Sequence, residues 1–465
     1  METGAVFAGR AEGRGGALDR PRLIDWYRRN RARSNALFDL VEDEAYYARP
    51  IALRLPLVFY EGHLPMFSFN TLVRKGLGRP SLDARLEILF ARGIDPHESL
   101  SGAADRDASR EPRWPSRAEV RALAVEADLQ VLDALEHANI EQPGHALLER
   151  AEAAFCILEH EAMHHETMLY MWQQLPYEMK RKPAGYRPRT DGESPAHSWI
   201  EVPAGPATLG VEATQQDFTW DNERPAHSLA VDSFRMERHN VTNQRFMEFV
   251  EAGGYRDPRW WRPEDWAWVN SEGIEHPPFW IRRDGIWFWR GMFDLVELPL
   301  SWPVYVSQAE ASAFARWRGH RLPTEAEYQR AAYGSPSGGA RRYPWGNAEP
   351  TPGHGVFDFT SWDPEPIGSH GDGASEWGIE DLMGNGWEWT STVFEPFPGF
   401  EALPSYPEYS ADFFDGEHFV MKGASPATAR ELLRPSFRNW FRARYPYVYA
   451  TFRCVEKEPA ERKSR

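Results

Sequence analysis

Hydrophobic positions recur at helical spacing through roughly the first 180 residues and then lose that period. Asp19 and Ser116 are suited to cap two of the helices, because their side-chain oxygens can accept from the free backbone N–H groups of a first turn. Four long amphipathic segments joined by short connections predict an antiparallel four-helix bundle over residues 19–180, preceded by a flexible N-terminus at residues 1–18. The segments lie at about residues 21–40, 53–77, 118–138 and 145–174.

The helical period ends at a Pro- and Gly-containing stretch, residues 181–195, which is typical of a linker. Beyond it, short strand-like runs such as Trp199–Val202 and Phe419–Lys422 lie among many Gly, Pro and Trp residues. We expect a second, α+β domain over residues 196–458, followed by a disordered tail at residues 459–465. Helical patterns in this domain are limited to about residues 242–252, 307–318 and 324–332.

The composition narrows the classes of function. The 465 residues carry a net charge of −16, which argues against binding to nucleic acid or to an anionic membrane surface. Only two cysteines are present, so a disulfide framework and a cysteine-based zinc site are excluded. No apolar segment approaches the length of a membrane span, and the N-terminus lacks the apolar core of a secretory signal. We therefore expect a soluble cytoplasmic protein without nucleic-acid or membrane partners.

Residues 160–166, with the sequence HEAMHHE, carry the clearest chemistry in the chain. His160 and His164 are four residues apart, so they lie on one face of a helix and can bind the same metal ion. A lone buried histidine is more often structural, but a pair at this spacing with acidic neighbours favours a metal site. His63 is the candidate third ligand, because facing helices of a bundle commonly build metal sites in its core.

Neighbours of the histidine pair are candidates for supporting roles. Glu161 and Glu166 could orient the ligands by accepting their second ring N–H, or they could form solvated helix surface. His165 points about a quarter turn away from the pair, so we expect it behind the ligands or at the surface. Cys156, one turn earlier, is expected to be a buried apolar side chain rather than a ligand.

The histidine pair also spells H-E-x-x-H, the pattern of zinc proteases. The extended form of that pattern requires a glycine three residues after the second histidine and then a third histidine, and neither follows His164. Nitrogen ligands alone suit zinc, copper, iron or nickel, so the donor set leaves the metal open. A zinc hydrolase therefore stays an alternative.

The second domain carries several specific motifs, in which Gly, Asn and Trp residues suit tight turns held by large aromatic side chains. The motifs are Gly319–Tyr328, Tyr343–Asn347, Asp381–Thr390 and Phe452–Cys454. Most of these residues are assigned to the scaffold. Together and in this order, the motifs resemble the formylglycine-generating-enzyme/sulfatase-modifying-factor domain, which has a C-type-lectin-like fold.

A DinB-like helical bundle in front of such a domain resembles the EgtB/OvoA/SenA family, the ergothioneine-pathway sulfoxide synthases and their selenoneine-forming relative. The resemblance implies a non-haem Fe(II) site with three histidine ligands. Such a site uses O2 to join sulfur or selenium to the imidazole C2 of hercynine, the betaine of histidine. His160 and His164 match the paired ligands of that family, and His63 matches the third.

The segments around Tyr406 and Asn439 resemble the mycobacterial members of that family without gaps. The resemblance implies a catalytic role for Tyr406, with Tyr409 as its neighbour, and contacts of Asn439 and Trp440 with the betaine. A phenol can donate a proton or a hydrogen atom, an amide can bond an imidazole nitrogen, and aromatic faces suit a trimethylammonium group, which has no N–H. The residues alone would favour loop packing for both tyrosines.

The donor region departs from the family members that use γ-glutamylcysteine. Those members have an Asp and an Arg where this chain has Phe441 and Tyr445, so an ionic grip on an amino-acid-like donor is lost. Arg442 and Arg444 lie nearby, and aromatic faces with a few Arg donors suit a sugar ring better than a zwitterion. We predict a selenoneine synthase that takes a selenosugar. The alternative is an EgtB-type hercynylcysteine sulfoxide synthase that takes cysteine or γ-glutamylcysteine, with both aromatic residues packed in the core.

Departures in the bundle concern the acceptor rather than the type of reaction. Phe67 and Met163 stand where the mycobacterial members have glutamines that help to hold the betaine. Betaine binding is therefore expected to depend more on other groups. A non-catalytic lectin-like binding module is a further alternative, since lectin-like folds often only bind, and the converging histidines argue against it.

Overall fold

The computed structural model describes residues 17–91, 113–213, 218–339 and 341–456. These residues form two compact units. The first contains the described residues through Tyr186 together with Phe218 and Leu403–Pro407, and the second contains the others. Most of the predicted flexible segment 1–18 and all of the predicted tail 459–465 lie outside the described residues.

The first unit is helical, as the sequence predicts. Its described α-helices are α1 (Arg20–Phe38), α2 (Leu57–Ser68), α3 (Ala84–Leu89), α4 (Arg117–His137) and α5 (Glu152–Gln174). The predicted caps are present: the Asp19 carboxylate accepts from the backbone of Arg22 at 3.2 Å, and Ser116 with Glu119 forms a capping box at α4. In the described ranges, no helix is both long and apolar enough to cross a lipid bilayer.

Two helix starts differ from the hydrophobic period. Helix α2 begins at Leu57 instead of near residue 53, because Pro56 disfavours a helical backbone conformation at the residue before it. A π-helical stretch, Phe69–Gly76, continues α2. Helix α5 begins at Glu152 instead of near residue 145, because the two preceding residues have left-handed backbone with φ of 53° and 60°. The short helix α3 was not predicted.

The second unit combines short helices with four sheets in its described residues. Its helices are α6 (Asn243–Glu251), α7 (Pro263–Glu272), α8 (Gln308–Trp317) and α9 (Glu325–Tyr333). Its strands are β1 (Trp199–Val202), β2 (Gly205–Leu209), β3 (His227–Val231), β4 (Phe234–Glu237), β5 (Trp280–Arg283), β6 (Ile286–Arg290), β7 (Leu295–Glu297), β8 (His320–Arg321), β9 (Gly386–Val393), β10 (His418–Ala424), β11 (Asn439–Arg442), β12 (Ala450–Thr451) and β13 (Val455–Glu456). The three predicted helices and both predicted strands are confirmed to within a few residues.

The sheets place the sequence motifs in one framework. The strand orders are β1-β4-β13-β8, β11-β10-β9-β12, β2-β3 and β5-β6-β7. The described pairs are antiparallel except β9 with β12, which is parallel. Strand β10 lies between β9 and β11, with Phe419 opposite Phe441 and Met421 opposite Asn439. The first of the residues predicted to bind substrate, Asn439–Arg442, thus lie on the edge strand of a four-stranded sheet.

The motifs act mainly as scaffold, as predicted. Thr324 and Glu327 form the capping box that starts α9. Asn385, in the left-handed region at φ 63°, holds a turn by exchanging two hydrogen bonds with the backbone of Glu365, at 2.8 and 2.9 Å. Arg453 is fully buried and makes two 2.7 Å contacts with Glu388 on β9. These buried charges are paired, which removes most of the cost of desolvating them.

Residues 260–289, which contain seven tryptophans and are called the Trp-rich stretch below, form their own elements, which the hydrophobic period did not predict. Helix α7 is followed by the three-stranded sheet β5-β6-β7. Trp280 and Trp289 face each other across β5 and β6, and each is 1% exposed. The Trp280 indole donates to the Asn243 side chain on α6 at 3.1 Å. Much of the tryptophan content of this stretch therefore forms a local core.

Candidate metal centre

Helices α2 and α5 bring His63, His160 and His164 together in the first unit. One nitrogen of each ring lies within 4.8 Å of the corresponding nitrogens of the other two. The Nε2 atoms of His160 and His164 are 3.1 Å apart. Two imidazole nitrogens that bind one ion at about 2.1 Å, at angles of about 90–110°, are separated by about 3.0–3.4 Å. The pair therefore has the spacing of two ligands of one ion.

His63 is oriented by the backbone of a neighbouring segment. Its Nδ1 donates to the Phe90 carbonyl at 2.7 Å, which leaves Nε2 unprotonated. That Nε2 is buried and has no hydrogen-bond partner in the described part of the chain. Metal-binding histidines are commonly held in this way, with the second nitrogen donating to a carbonyl. Because every residue of α2 is buried, the ring cannot turn to solvent for a partner.

Glycine at position 62 permits this arrangement. A Cβ on Gly62 would overlap the ring of Phe90, the residue whose carbonyl holds His63. The absence of a side chain therefore lets the Phe90 segment approach α2 closely. Neither residue was predicted, because the sequence places Phe90 far from His63 and gives no sign of the contact.

Burial keeps the three imidazoles neutral. It lowers the pKa of His63 to about 4, against a weaker opposing effect of the Phe90 carbonyl. Burial also lowers the pKa of His160 and His164 well below the usual value. Repulsion between neighbouring imidazoles disfavours protonation further, and Arg54 adds to this effect at His164. Neutral imidazole is the form that binds metal. The donor set therefore fits a nitrogen-preferring divalent ion.

The acidic neighbours do not support the ligands as predicted. Nδ1 of His160 and Nδ1 of His164 have no hydrogen-bond partner in the described ranges, so neither Glu161 nor Glu166 accepts from them. Glu161 instead accepts from Arg31 at 2.8 Å and from Ser34 at 2.6 Å. The helix places Glu161 on the face that packs toward α1, away from the ligand nitrogens.

His165 is buried rather than at the surface, which excludes one of its two predicted positions. It is 0% exposed, and its Nε2 lies 3.0 Å from the Ser34 hydroxyl. Burial lowers the pKa of His165 well below its usual value. It belongs to the same α1–α5 network as Glu161, and this network fixes the rotation of α5. Cys156 is buried as predicted.

Aromatic rings line one side of the histidines. Phe67 stacks on His160 with ring centroids 3.5 Å apart and planes 12° apart. Tyr406, within the Leu403–Pro407 part of the first unit, lies 5.2 Å from Phe67 and 5.9 Å from His160 between ring centroids. The Ser405 backbone N–H, next to it, donates to Glu152 at the start of α5 at 3.1 Å. This contact holds Tyr406 beside the histidines.

Tyr409 belongs to the second unit and lies in an aromatic cluster there. It stacks on Trp220 at 4.0 Å between centroids and meets Trp440 edge-on at 5.1 Å. Trp440 also stacks on Phe394 at 4.3 Å with planes 4° apart. Trp440 and Asn439 are both half-buried on β11. Tyr409 therefore supports one side of Trp440.

Buried ion pairs fix the segment that leads into β11. Arg434 pairs with Glu223, and Arg438 pairs with Glu325 at 2.9 Å. Lys422 on β10 donates to two carbonyls of this segment, at 2.8 and 2.7 Å, and burial lowers its pKa to about 8. Because these groups are buried and paired, they hold the segment before β11 rigidly, and Asn439 and Trp440 come directly after it.

The four residues predicted to bind the chalcogen donor lie close together at the end of β11. Phe441 stacks on Tyr445 with centroids 5.0 Å apart and planes 15° apart. Arg442 is 3.7 Å from Glu417, and Arg444 donates to Asp265 of α7 at 3.3 Å. Asp265 was not predicted. An acidic residue in the first turn of a helix is common for electrostatic reasons, so its sequence position carries no functional signal.

Family comparisons match both parts of the chain. Residues 27–168 match the DinB superfamily. Residues 186–458 match the family described as sulfatase-modifying factor enzyme 1-like domain. These matches confirm the predicted fold class, a DinB-like helical region followed by a C-type-lectin-like domain of the formylglycine-generating-enzyme type.

Curated relatives support the resemblance over most of the chain. A hercynine oxygenase of Mycolicibacterium smegmatis is 39% identical over 334 residues, which cover 69% of this chain and 74% of the relative. A hercynine oxygenase of Mycolicibacterium thermoresistibile is 38% identical over 379 residues, which cover 76% and 80%. Ergothioneine biosynthesis protein 1 of Neurospora crassa is 26% identical over 519 residues, which cover 94% of this chain and 57% of the relative.

Replacement of His160 by alanine should abolish metal binding. The change removes one of three ligand nitrogens, and we expect the affinity for a divalent metal ion to fall by about 100-fold or more. Anaerobic titration calorimetry and metal analysis measure the effect. His137→Ala on α4, a histidine whose side chain is 66% exposed, is the control and should bind metal normally. Full metal stoichiometry in His160→Ala would contradict the assignment.

Replacement of Gly62 by alanine should weaken metal binding from a position that provides no ligand. Alanine usually stabilises a helix relative to glycine, by about 0.5–1 kcal/mol. Here the added Cβ would displace Phe90 and with it the carbonyl that holds His63. We expect a lower thermal midpoint and about tenfold weaker metal binding.

The matched control for this change is Gly185→Ala, where an added Cβ meets nothing within 4 Å. It should leave both quantities unchanged. Wild-type metal affinity in Gly62→Ala would show that the Phe90 carbonyl does not orient His63.

Proposed function

Because this chain belongs to the hercynine oxygenase family, we propose that it is an O2-dependent non-haem Fe(II) oxidoreductase that acts on hercynine. It forms a C–Se or C–S bond at the imidazole C2. The specific activity that we propose is that of a selenoneine synthase with a selenosugar donor. In the net reaction the C2–H and Se–H hydrogens leave as water. O2 accepts four electrons, and its second oxygen remains on the chalcogen.

The observation that carries the proposal is the convergence of three neutral histidines, of which His63 and His160 are buried and His164 is half-buried. His63, His160 and His164 would hold Fe(II) through one nitrogen each. The bound ion would supply a site for O2 and for a soft chalcogen donor beside hercynine, and would favour the deprotonated donor. The surrounding helix α2 excludes water from one side, since all its residues are buried.

Tyr406 is the residue proposed to move or hold a proton. Its ring lies 5.9 Å from His160 between centroids and shares the first unit with all three histidines. A phenol in this position would donate a hydrogen bond or a proton to the reacting groups. Phe67, between Tyr406 and His160, offers no hydrogen bond, so it acts as an apolar wall that keeps the phenol close to the histidines.

Asn439 and Trp440 are proposed to bind hercynine. The Asn439 amide can bond an imidazole nitrogen or a carboxylate. The trimethylammonium group has no N–H to donate, so the faces of Trp440 and its aromatic neighbours are its natural partners. Tyr409 supports Trp440 by an edge contact at 5.1 Å, which favours a positioning role for this tyrosine. A catalytic role for Tyr409 stays a prediction.

A sugar donor is supported by the residues at the end of β11. Phe441, which is half-buried, stacks on Tyr445, which is 5% exposed, where related enzymes hold an amino-acid-like donor by charge. Arg442 and Arg444 provide donors around them. An EgtB-type enzyme that takes cysteine or γ-glutamylcysteine is the alternative, and it differs only in the donor.

A zinc hydrolase is disfavoured by the position of Glu161. In an H-E-x-x-H hydrolase this glutamate would serve as general base and would need to reach a metal-bound water. Here Glu161 is 0% exposed, and its Oε1 is held by Arg31 at 2.8 Å and by Ser34 at 2.6 Å. These two hydrogen bonds would have to break before Oε1 of the carboxylate could act.

Anaerobic reconstitution with Fe(II), followed by hercynine, a donor and O2, tests the proposal. Parallel reactions contain a selenosugar, its thiosugar analogue, cysteine or γ-glutamylcysteine, and mass spectrometry identifies the adducts. We expect a selenium adduct from the selenosugar. Adducts from the thiols alone would make the protein an EgtB-type enzyme, and zinc-dependent hydrolysis without O2 would overturn the proposal.

Replacement of Tyr406 by phenylalanine should separate chemistry from metal binding. Loss of one proton-donating group should lower turnover by about 100-fold or more, or divert the product, with Fe(II) binding unchanged. Single-turnover product analysis and metal titration measure the two effects. Tyr47→Phe, at a tyrosine that is 51% exposed, is the control. An unchanged product at an unchanged rate would remove Tyr406 from the reaction.

A further inference from the structure

Asp265, near the start of α7, is a buried carboxylate that the proposed reaction does not yet use. Its side chain is 1% exposed, so its charge has lost most of its hydration. Arg444 donates to Oδ1 at 3.3 Å, longer than the about 2.7–2.9 Å of a well-formed charge-assisted hydrogen bond. Oδ2 is buried and accepts no hydrogen bond from the residues that the structure describes. The fold therefore uses only part of this carboxylate.

Two structural carboxylates of this unit, Glu388 and Glu325, are satisfied more completely. Glu388 receives two hydrogen bonds of 2.7 Å from Arg453. Glu325 receives two from Arg438, at 2.9 and 3.1 Å. An oxygen that is buried without a partner costs more than an oxygen that is paired. Asp265 thus differs from Glu388 and Glu325, whose oxygens are paired.

The Asp265 carboxylate lies near the aromatic residues that are proposed to bind the chalcogen donor, Phe441 and Tyr445. Arg262, three residues earlier, lies 5.1 Å from the centroid of the Phe419 ring. Phe419 is opposite Phe441 on the neighbouring strand, and Phe441 stacks on Tyr445. Helix α7 and the end of β11 therefore form one continuous cluster of a carboxylate, guanidinium groups and stacked rings.

This combination suits a sugar better than an amino acid. Sugar hydroxyls donate to a carboxylate and accept from a guanidinium, while the C–H face of the ring packs on an aromatic side chain. A zwitterion needs two separate counter-charges, but Asp265 and Arg444 already contact each other and largely cancel. Asp265 and Tyr445 are 1% and 5% exposed, whereas the Arg444 side chain is 34% exposed and Phe441 is half-buried, so a ligand would reach the cluster from the side of Arg444 and Phe441.

We infer that Asp265 is a donor-specificity residue, whose carboxylate accepts hydrogen bonds from the sugar hydroxyls of the donor while Arg444 donates to them. The inference rests on the proposed function, because it takes a glycosyl chalcogen compound as the donor. It gives the Trp-rich stretch a role in substrate recognition, through the first turn of α7.

Asp265→Asn tests the inference, because it keeps the shape of the side chain and removes its charge. Glu264→Gln is the matched control, since Glu264 is the adjacent acidic residue and is exposed. Binding of 1-thio-β-D-glucose is followed by saturation-transfer NMR, and the KM of each donor is measured with the Fe(II) enzyme. Asp265→Asn should raise the thioglucose Kd and the KM of the glycosyl donor by about tenfold or more. The KM of hercynine and the Fe(II) stoichiometry should not change, and Glu264→Gln should behave as wild type.

Thioglucose binding by Asp265→Asn equal to that of the wild type would overturn the inference, as would an effect confined to cysteine donors. If Asp265→Asn does not fold, Arg444→Gln alters the same contact at a partly exposed residue, and an unchanged donor KM there would also overturn it. A failure of the proposed function would show itself in a different experiment, because the wild-type enzyme would then form no adduct with any glycosyl donor. Saturation transfer to thioglucose that is lost in Asp265→Asn supports the sugar site in either case.

Discussion

Burial of three imidazoles where α2 packs against α5 is the constraint on which the candidate centre depends. A charged histidine at this place would lose its hydration without compensation, so the rings are neutral and keep a nitrogen lone pair for a ligand. Neutrality alone does not aim the lone pairs. The carbonyl of Phe90 does this for His63, and Gly62 allows the approach because it has no side chain. Metal chemistry in this chain therefore depends on packing as much as on ligand identity.

Buried polar groups in this protein differ in how completely they are paired. Arg31 with Glu161 and Arg453 with Glu388 are closely paired, and each joins elements that are distant in the sequence. Such pairs offset their own desolvation and fix the position of helices and strands. The three histidines and Asp265 have buried polar atoms without hydrogen-bond partners among the described residues, as Glu161 also has at its Oε2. We assign ligands only where such atoms lie beside other groups of suitable chemistry.

The sequence predicted the fold class and most long elements, for identifiable reasons, and it proposed three metal ligands, which stay a prediction that their geometry supports. Four-residue spacing places His160 and His164 on one helix face in any packing, and capping residues such as Ser116 set helix starts locally. His63 was first proposed because facing helices of a bundle commonly build metal sites, and the family resemblance agreed with it, although its own surroundings in the sequence carry little information. The predicted roles of Tyr406, Asn439 and Trp440 stay proposals, although the structure gives each a defined environment.

Sequence by itself thus determined which residues share a helix face and which motifs build turns, because both follow from backbone geometry over a few residues. Tertiary structure decided what those faces meet. It directed Glu161 to Arg31 instead of to a ligand histidine, buried His165, placed the Phe90 carbonyl on His63 and set Asp265 beside Arg444. These contacts join residues about 27 to 179 positions apart, and no local pattern specifies them, because they arise only when the separate elements pack.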